Sequence, residues 1–390
     1  MNILHICSYY PTSKLYSNLT SYLDRKGINN IVYIPIKDEK ERNLYNVKFC
    51  NQSKLIYSRC FSNLDRINFY NRQKKMYEKL TKIVDNEKNI DLIHAHSLFT
   101  NGYMAYKLKK EKNISYIVAV RSTDLELFFK KRIWLRKLGI EILRNASKIV
   151  FISESYRNRC IEKYIPNELK SEIYKKSFVI PNGIDDIWFE NINAPKTLFK
   201  ENSNYIKLIY VGQLIKRKNI EKCIFAVKEL NNNGFKCKLD IVGRGPLYNK
   251  IIKEELKNKD IIKVHDFKSK EELINMYRQA NIFIMPSRRE TFGLVYVEAM
   301  TQGLPVIYSE SEGFDRYFEN GYVGFAVNNN DINDICQKVI KIKENYEEIS
   351  KNCLKNIEKF KWENISDIYI DIYMNMVKCA GELDKYETND

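Results

Sequence analysis

The sequence lacks the features that mark secreted, metal-binding and membrane-spanning proteins. Its nine cysteines form no C-x-x-C pair and have no metal-ligand spacing, which argues against a disulfide framework and favours reduced thiols. The opening residues, MNILHICSYY, lack the basic segment of a signal peptide, and no apolar run is long enough to cross a membrane. There is no low-complexity segment. We therefore expect a globular protein of the cytoplasm.

Composition and charge set further limits. Hydrophobic residues make up 44% and aromatic residues 13% of a chain of 390 residues, which is enough for two domains with a core each. The net charge of +16 is uneven, because residues 1–190 hold 34 Lys and Arg against 20 Asp and Glu, whereas residues 191–390 hold 31 against 29. A basic first half suits nucleic acid, an anionic membrane or a phosphorylated substrate, unless these residues merely solvate the surface.

Apolar runs of strand length alternate with helical segments along most of the chain. This alternation predicts an α/β protein with doubly wound parallel sheets. The pattern stops in the polar segment 189–204 and then begins again, so we place a linker there. We predict one Rossmann-like domain over residues 1–190 and another over residues 191–361. Two such domains facing each other would form a central cleft at the carboxyl ends of their strands.

Two segments of the first half are harder to interpret. Residues 36–60 are polar and charged with short apolar islands, and their assignment stays open. Residues 128–145 resemble one long basic helix that mixes aromatic side chains with cations. Such a helix suits docking on an anionic bilayer. The alternative is an ordinary amphipathic helix with Trp134 and Leu138 in the core.

The stretch from Asn281 to Pro305 carries the clearest functional signal. A short apolar run leads through a polar loop, which contains Glu290, into a helix that starts near Gly293. A helix N-terminus supplies free N–H groups and partial positive charge, which suits an anionic ligand. Glu298 lies about two turns inside an otherwise apolar helix, so it must face solvent or bind something. Glu290 by itself is equally consistent with a solvated loop residue.

Three further loops follow predicted strands of the second half. In the first, a glycine is followed by three consecutive cations, which suits a diphosphate, although such a run is often only a solvated turn. The second is the glycine-rich turn at Gly243, which alone marks a tight turn more often than a ligand loop. The third contains His265. Because the carboxyl ends of parallel strands meet at one edge, we expect these loops to converge with the loop of Glu290.

Together these motifs resemble those of the family 4 retaining glycosyltransferases of the GT-B fold. The resemblance rests on Gly212-x-Leu214-x3-Lys218, the turn Gly243-x-Gly245-Pro246, and Glu290-x-Phe292-Gly293-x4-Glu298, and it spans nearly all of residues 205–327. The turn Pro181–Asp185 is similar to the family's motif at the domain junction. The segment 362–390 resembles the terminal helix that crosses back to the N-terminal domain in this family.

The resemblance implies a nucleotide-sugar donor bound by the second domain, and no metal or other cofactor. Lys218 would contact the diphosphate with help from Arg217, Glu298 would hold the ribose hydroxyls, and Glu290 would lie beside the donor sugar. The remaining implied donor contacts are the two loop residues Gly212 and Gln213, the base-contacting loops at Gly243 and His265, and the helix start at Thr291, Phe292, Gly293 and Leu294. These implied roles are chemically consistent, because cations and backbone amides stabilise the negative charge of a departing diphosphate. No D-x-D motif that would hold a metal occurs in a suitable loop.

The chain departs from the family pattern in both domains. In the first domain the glycine pair that commonly follows the first strand is missing, and residues 8–12 occupy that loop. Gln213 stands where an arginine is usual, which removes one diphosphate charge. In the first domain, Arg121 stands where many relatives have a histidine, and it suits an anionic acceptor or the donor phosphates unless it is only a surface arginine. We assign Arg121 to the catalytic set with Glu290 and Lys218. The predicted acceptor-side residues are Arg121, His96, Asp124 and Asn182, with a packed histidine as the alternative for His96.

The resemblance implies a hexosyltransferase-type glycosyltransferase. We expect a glycan or lipid-linked acceptor of a bacterial-type surface polysaccharide, and an anionic membrane surface as a further partner. An epimerase of the same fold, acting on the nucleotide sugar itself, is one alternative. A non-catalytic protein that binds membrane or nucleic acid through its basic half is the other, although no DNA- or RNA-reading motif accompanies the basic residues.

Overall fold

The chain folds into two compact units. The computed structural model describes residues 1–42, 44–62, 65, 68–87, 89–196 and 205–387, with side chains in the last helix described up to residue 378. The first unit comprises Met1–Ile152, Arg157–Asn182 and the chain from Trp362 on, and the second comprises Ser153–Tyr156 and Gly183–Lys361. The chain passes from the first unit to the second after Asn182, earlier than the predicted domain limit at residue 190. Residues 197–204 of the predicted linker lie outside the described residues.

The first unit is built on a parallel sheet of seven strands. The strand order is β3-β2-β1-β4-β5-β6-β7. Successive strands are added towards one edge of the sheet up to β3 and towards the other edge from β4 on, so the strand order reverses between β1 and β4. The elements in chain order are β1 (Asn2–Ile6), α1 (Lys14–Arg25), β2 (Asn29–Ile36), β3 (Lys54–Arg59), α2 (Phe69–Asn86), β4 (Leu92–Ala95), α3 (Gly102–Lys112), β5 (Tyr116–Val120), α4 (Arg136–Asn145), β6 (Lys148–Phe151), α5 (Glu154–Tyr164), α6 (Asn167–Lys175) and β7 (Ser177–Val179).

Burial explains which strands the sequence pattern revealed. Central strands such as β4 and β5 are buried at every position, and a parallel sheet covered on both faces produces such continuous apolar runs. Strand β3 at the sheet edge is only partly buried along its length. Its polar sequence therefore resembles a loop, which is why residues 36–60 could not be assigned.

The prediction of one long helix over residues 128–145 is wrong. A π-helical segment covers Asp124–Phe129, a short 3-10 turn covers Ile133–Leu135, and α4 begins only at Arg136. The alternative of a core tryptophan is also wrong, because the Trp134 side chain is 67% exposed. Because the helix is interrupted here, the Leu135 side chain lies in the core and the Trp134 side chain lies on the surface.

The last helix, α14 (Trp362–Glu387), packs within the first unit. Trp362, Ile365, Tyr369 and Tyr373 share one apolar cluster with residues of β1, α1 and the neighbouring strands, such as Ile3. The Oη atom of Tyr373 also lies 2.6 Å from Nδ1 of His94 on β4. The final segment of the chain thus completes the core of the unit in which the chain begins.

The second unit has its own parallel sheet of six strands in the order β10-β9-β8-β11-β12-β13. Both sheets confirm the predicted α/β class with two doubly wound, Rossmann-like domains. No helix of the described residues is long and apolar enough to span a membrane. The elements are α7 (Asp186–Glu190), β8 (Ile206–Val211), α8 (Ile220–Asn232), β9 (Cys237–Val242), α9 (Tyr248–Lys257), β10 (Ile262–His265), α10 (Lys270–Gln279), β11 (Ile282–Ile284), α11 (Leu294–Met300), β12 (Val306–Ser309), β13 (Gly324–Val327), α12 (Ile332–Glu344) and α13 (Tyr346–Lys355).

Candidate active site

The loops after β8 and β9 each begin with a glycine that is hydrogen-bonded to the last residue of the neighbouring strand. The N–H of Gly212 donates to the carbonyl of Val242 (3.0 Å), and the N–H of Gly243 donates to the carbonyl of His265 (3.1 Å). Gly243 has a φ of +141°, and a Cβ there would lie 2.1 Å from the carbonyl oxygen of Gly212. The glycine is therefore needed so that two loops can approach each other.

Lys218 and Glu290 meet in this loop cluster. Lys218 ends a 3-10 turn after β8, Glu290 follows β11, and Nζ of Lys218 forms an ion pair with Oε2 of Glu290. Both side chains are largely buried, at 14% and 10% exposure, so each charge depends on the other for compensation. The other carboxylate oxygen of Glu290 accepts a hydrogen bond from the N–H of Thr291 at 3.1 Å. The structure thus brings together two of the three predicted catalytic residues.

A second carboxylate fixes the backbone of the Glu290 loop. Oε2 of Glu312 accepts a hydrogen bond from the N–H of Glu290 at 2.8 Å, and the carbonyl of Glu290 accepts one from the N–H of Gly313. A Cβ on Gly313 would lie 2.0 Å from the carbonyl oxygen of Thr291. The segment after β12 therefore packs directly on the loop that holds Glu290.

Asn219, which no sequence motif marks, connects the loop after β8 that carries Lys218 (the lysine loop) to the loop that holds Glu290. It is 2% exposed and has a φ of +59°, a left-handed conformation that asparagine tolerates better than most residues. Its Nδ2 donates to the carbonyls of Pro286 (3.0 Å) and Asn329 (2.7 Å), and its Oδ1 accepts from Nε of Arg288 (3.2 Å). In the sequence, the feature that could have pointed to this residue is an asparagine directly after three consecutive cations.

The remaining cations of the lysine loop lie at the surface. Arg217 is exposed, and its Nη1 donates to the carbonyl of Arg289 at 3.2 Å. Gln213 is exposed too, while its carbonyl accepts a hydrogen bond from the hydroxyl of Tyr210. An anion at this edge would therefore meet Lys218 in the buried part of the loop and Arg217 in the solvated part.

Helix α11 begins beside Glu290. Gly293 precedes it with a φ of +86°, and a Cβ there would lie 2.4 Å from the ring of Tyr296. The predicted donor contacts Thr291 and Leu294 are partly buried at this helix start, and Phe292 is buried. Phe292 packs against Phe314 and Tyr317, so its side chain belongs to the core and only its backbone remains for a ligand.

Glu298 lies in the middle of α11 and is partly buried. Burial raises the pKa of its carboxyl to about 7, and the positive charge of Lys270 opposes the shift. Lys270 itself forms an ion pair with Asp185. Glu298 therefore offers a poorly solvated carboxylate whose charge a ligand with hydroxyl donors would stabilise.

His265 is held in place by a carboxylate. Its Nε2 lies 3.2 Å from Oδ1 of Asp240, whose other oxygen is bound by Nζ of Lys207 at 2.7 Å. Burial raises the pKa of Asp240, but these two partners outweigh it and the net shift is downward. The carboxylate is thus ionised and orients the imidazole at the end of β10.

In the first unit, three of the predicted acceptor-side residues lie together. Nε of Arg121 donates to the carbonyl of His96 at 3.3 Å, and the N–H of Arg121 donates to Asp124 at 2.8 Å. The Asp124 carboxylate also accepts the N–H groups of Leu98 and Phe99, and its burial raises its pKa to about 6. Asp124 thus joins two strand-end loops, while the guanidinium of Arg121 is only partly buried. Asn182 is partly buried at the end of this unit.

His96 belongs to a buried cluster of three histidines. His96 Nε2 lies 2.9 Å from Nδ1 of His5, and the ring of His96 stacks on that of His94 at 4.0 Å. Burial lowers the pKa of all three, to about 4 for His5. Their ligand atoms lie within 4.8 Å of one another, so the group could hold a metal ion, and the expectation that the protein needs no metal stays a prediction. The packed alternative describes His96 in this structure.

Comparison with known proteins identifies the family. The family model described as Glycosyltransferase Family 4 matches residues 14–187, and the one described as Glycosyl transferases group 1 matches residues 193–360. An uncharacterised glycosyltransferase of Methanocaldococcus jannaschii is 30% identical over 290 residues, which cover 73% of this chain and 75% of that protein. The capsular polysaccharide biosynthesis glycosyltransferase CapM of Staphylococcus aureus is 28% identical over 57% of this chain and 61% of that protein.

The solved structures agree on the fold. HepE from Anabaena, solved in complex with UDP-glucose, aligns with a TM-score of 0.66 over 96% of this chain and 100% of that chain, at 15% identity. The prediction of an enzyme of the glycosyltransferase class is confirmed. The alternative of a non-catalytic binding protein has no support from these matches. The chain belongs to the family 4, group 1 glycosyltransferases with the GT-B fold.

Proposed function

We propose that the protein transfers a hexosyl group from a nucleoside diphosphate sugar to a glycan or lipid-linked acceptor, with retention of the anomeric configuration. The product would be part of a surface polysaccharide such as capsule, exopolysaccharide or lipopolysaccharide. Two likenesses support this proposal: HepE was solved with UDP-glucose, and CapM is named for capsular polysaccharide biosynthesis.

One observation carries the proposal. The second unit places a largely buried Lys218–Glu290 ion pair and the carboxylate of Glu298 in the loops and the helix that follow β8 and β11. Open parallel sheets bind ligands at the carboxyl ends of their strands. A nucleoside diphosphate sugar has the matching groups, because its diphosphate needs a cation and its ribose offers two hydroxyl donors.

The chemistry assigns each residue a task. When the bond between the sugar and the diphosphate breaks, the diphosphate leaves with the electron pair and gains negative charge. Lys218, with Arg217 nearer solvent, stabilises that charge, and it would exchange its contact with Glu290 for the phosphate. Glu290 is then released to orient the donor sugar, while the ionised Glu298 accepts hydrogen bonds from the ribose. With these cations in place, we expect no metal requirement, and activity in EDTA tests this.

We also propose that the first unit docks on an anionic membrane surface, where a lipid-linked acceptor would be reached. Ile133 and Trp134 are 60% and 67% exposed and adjacent. Lys130, Lys131 and Lys137 are exposed around them. An apolar tip surrounded by lysines is suited to the interface of an anionic bilayer, where the tryptophan enters the headgroup region and the lysines meet the lipid charges.

The decisive experiment compares Glu290→Gln and Lys218→Gln with the wild type on a panel of UDP- and GDP-sugars, following donor hydrolysis and transfer. We expect kcat/KM to fall on the order of 100-fold for each variant, because each removes a preorganised charge at the reacting group. The exposed ion pair Lys250–Glu221 of the same unit provides the matched control, and Lys250→Gln should change nothing. Full activity of Glu290→Gln would remove this residue from the mechanism. Release of an altered nucleotide sugar without acceptor would support the epimerase alternative.

A further inference from the structure

The first unit contains a cavity that the donor chemistry does not use. Its volume is about 350 Å³, and it lies where β1 and β2 end and α2 begins. Its polar lining includes Ser8, Lys37, Arg72, Gln73 and Arg132, and aromatic rings such as Phe61 and Phe128 form its apolar walls. Strand β1 borders the point at which the strand order reverses, where sheets of this type bind ligands.

Gln73 is the most informative residue of this cavity. Its side chain is 1% exposed, and within the described part of the chain neither its Nε2 nor its Oε1 has a hydrogen-bond partner. The Oγ atom of Ser8, in the same lining, is buried as well and has no hydrogen-bond partner in the part of the chain that the structure describes. Buried polar groups are rarely left unsatisfied in folded proteins. An amide that needs both an acceptor and a donor is matched by the hydroxyl groups of a saccharide.

The charge of the lining favours an anion. The guanidinium carbon of Arg72 lies over the ring of Phe61, 4.2 Å from its centroid, and that of Arg132 lies over the ring of Phe128 at 5.2 Å. Each contact limits the positions of the guanidinium, whose N–H groups can bind a carboxylate or phosphate in pairs. The two carboxylates of the lining already have cationic partners. Asp65 is bound by Nζ of Lys75 at 2.7 Å, and Glu41 lies 3.6 Å from Nζ of Lys37.

We propose that this cavity binds an anionic saccharide, which is the acceptor if the proposed transferase function holds. Sugar hydroxyls hydrogen-bond to Gln73 and Ser8, and a phosphate or carboxylate on the same sugar binds Arg72 and Arg132. The acceptor is therefore acidic, either a sugar phosphate or a uronic acid. A neutral glycan would make the contacts with Gln73 and Ser8 but not those with the two arginines. Arg132 directly precedes the exposed Ile133–Trp134 pair, so a phosphate-linked sugar at a membrane surface would be within reach of the same segment.

Direct binding to the full-length protein tests this inference without relying on turnover. The probes are glucose 6-phosphate, glucuronate, glucose and inorganic phosphate, with dissociation constants from ligand-observed NMR or calorimetry. We expect at least one acidic sugar to bind about tenfold or more tightly than both glucose and inorganic phosphate, because charge-assisted hydrogen bonds add to those of the hydroxyls. The stronger of the two acidic probes identifies the anion.

Variants separate recognition from folding. Arg72→Gln should weaken the acidic sugar about tenfold and leave glucose unchanged, whereas Arg144→Gln, an exposed arginine of the same unit, should affect neither. Gln73→Leu should weaken the binding of both sugars while leaving Tm unchanged or higher, because it removes a buried amide for which the described residues offer no hydrogen-bond partner. A purely structural glutamine would lower Tm on replacement.

Two outcomes would overturn the inference. Equal binding of acidic and neutral sugars would show that the cavity does not select charge. Equal binding of inorganic phosphate and glucose 6-phosphate would show a simple anion site that ignores the sugar. Neither result touches donor hydrolysis, which depends on Lys218 and Glu290 in the second unit. Conversely, loss of the donor activity would leave the binding result intact.

Discussion

Glu290 and Glu298 belong to one sequence motif but have opposite electrostatic surroundings. Glu290 is paired with Lys218 and accepts the N–H of Thr291, so its charge is compensated in the folded chain. Glu298 is partly buried in α11, and burial raises its pKa to about 7 against the opposing charge of Lys270. Glu290 can therefore exchange its contact with Lys218 for one with a ligand, whereas Glu298 can gain a hydrogen-bond donor from a ligand.

The raised pKa of Glu298 predicts a stability that depends on pH. A carboxyl with a pKa of about 7 in the folded chain and near 4.5 when unfolded binds more protons in the native state between these values. The contribution of Glu298 to the free energy of unfolding should therefore fall as pH rises from 4.5 to 7. The loss would be about 3 kcal/mol at most and smaller with solvent screening. Glu298→Gln should remove this contribution, and the difference between variant and wild type in denaturant titrations at pH 4, 6 and 8 measures it.

Glu344→Gln is the matched control, because Glu344 lies exposed on α12 of the same unit. Its profile should follow that of the wild type. If Glu298→Gln and Glu344→Gln give the same profile, burial of Glu298 is not the cause of the pH dependence.

At the scale of secondary-structure elements, the segment from Asp124 to Asn145 shows what an interrupted helix achieves. A continuous helix would present its aromatic side chains at fixed intervals around one axis. The turn at Ile133–Leu135 instead places Leu135 in the core and two neighbouring apolar residues in solvent. Exposed tryptophan beside isoleucine is costly unless a partner covers it, which motivates the proposed membrane contact.

We expect the protein to bind vesicles containing phosphatidylglycerol and not vesicles of phosphatidylcholine alone. The double variant Lys131→Gln/Lys137→Gln should weaken vesicle binding about thirtyfold, because each basic residue near an anionic surface contributes about 1 kcal/mol. Trp134→Ser should weaken it as well, with less dependence on salt. Cosedimentation measures both effects.

Phe267→Ser serves as the control, since Phe267 is 82% exposed but belongs to the second unit. Equal binding of wild type and Trp134→Ser would exclude the Ile133–Trp134 pair as the docking point.

At the scale of the whole molecule, α14 is the last element of the chain but part of the first unit. Tyr373 is fully buried against this unit's core and contacts His94. Tyr373→Ala should lower the free energy of unfolding of the first unit by about 3–5 kcal/mol, as expected for a large aromatic side chain removed from a core. Met374→Ala changes the neighbouring residue, which is 49% exposed, and should cost less than about 0.5 kcal/mol.

Hydrogen exchange followed by mass spectrometry locates the effect of Tyr373→Ala. Protection should fall in peptides from β1 and β4 and remain in those from β8 and β9. A uniform loss across both units would show that they unfold together.

Periodicity in the sequence was sufficient for most of the fold and for the order of the site loops. Strands buried on both faces, such as β4 and β8, produce apolar runs that need no tertiary information. The edge strand β3 was missed because half-buried residues carry no such pattern. The position of Asn219 was missed for another reason, since its value lies in contacts with Pro286 and Asn329, far away in the chain.

The sequence by itself determined the class of fold, the family and the presence of Lys218, Glu290 and Glu298 in the loops and the helix that follow two strands, because these follow from local order and spacing. Only the tertiary structure decided that Lys218 and Glu290 compensate each other, that Trp134 is exposed, and that Gln73 lies in a cationic cavity with no hydrogen-bond partner among the described residues. Burial and electrostatic pairing depend on residues that are distant along the chain and adjacent only after folding. Those two quantities set the charge of a site, and with it the ligand that the site accepts.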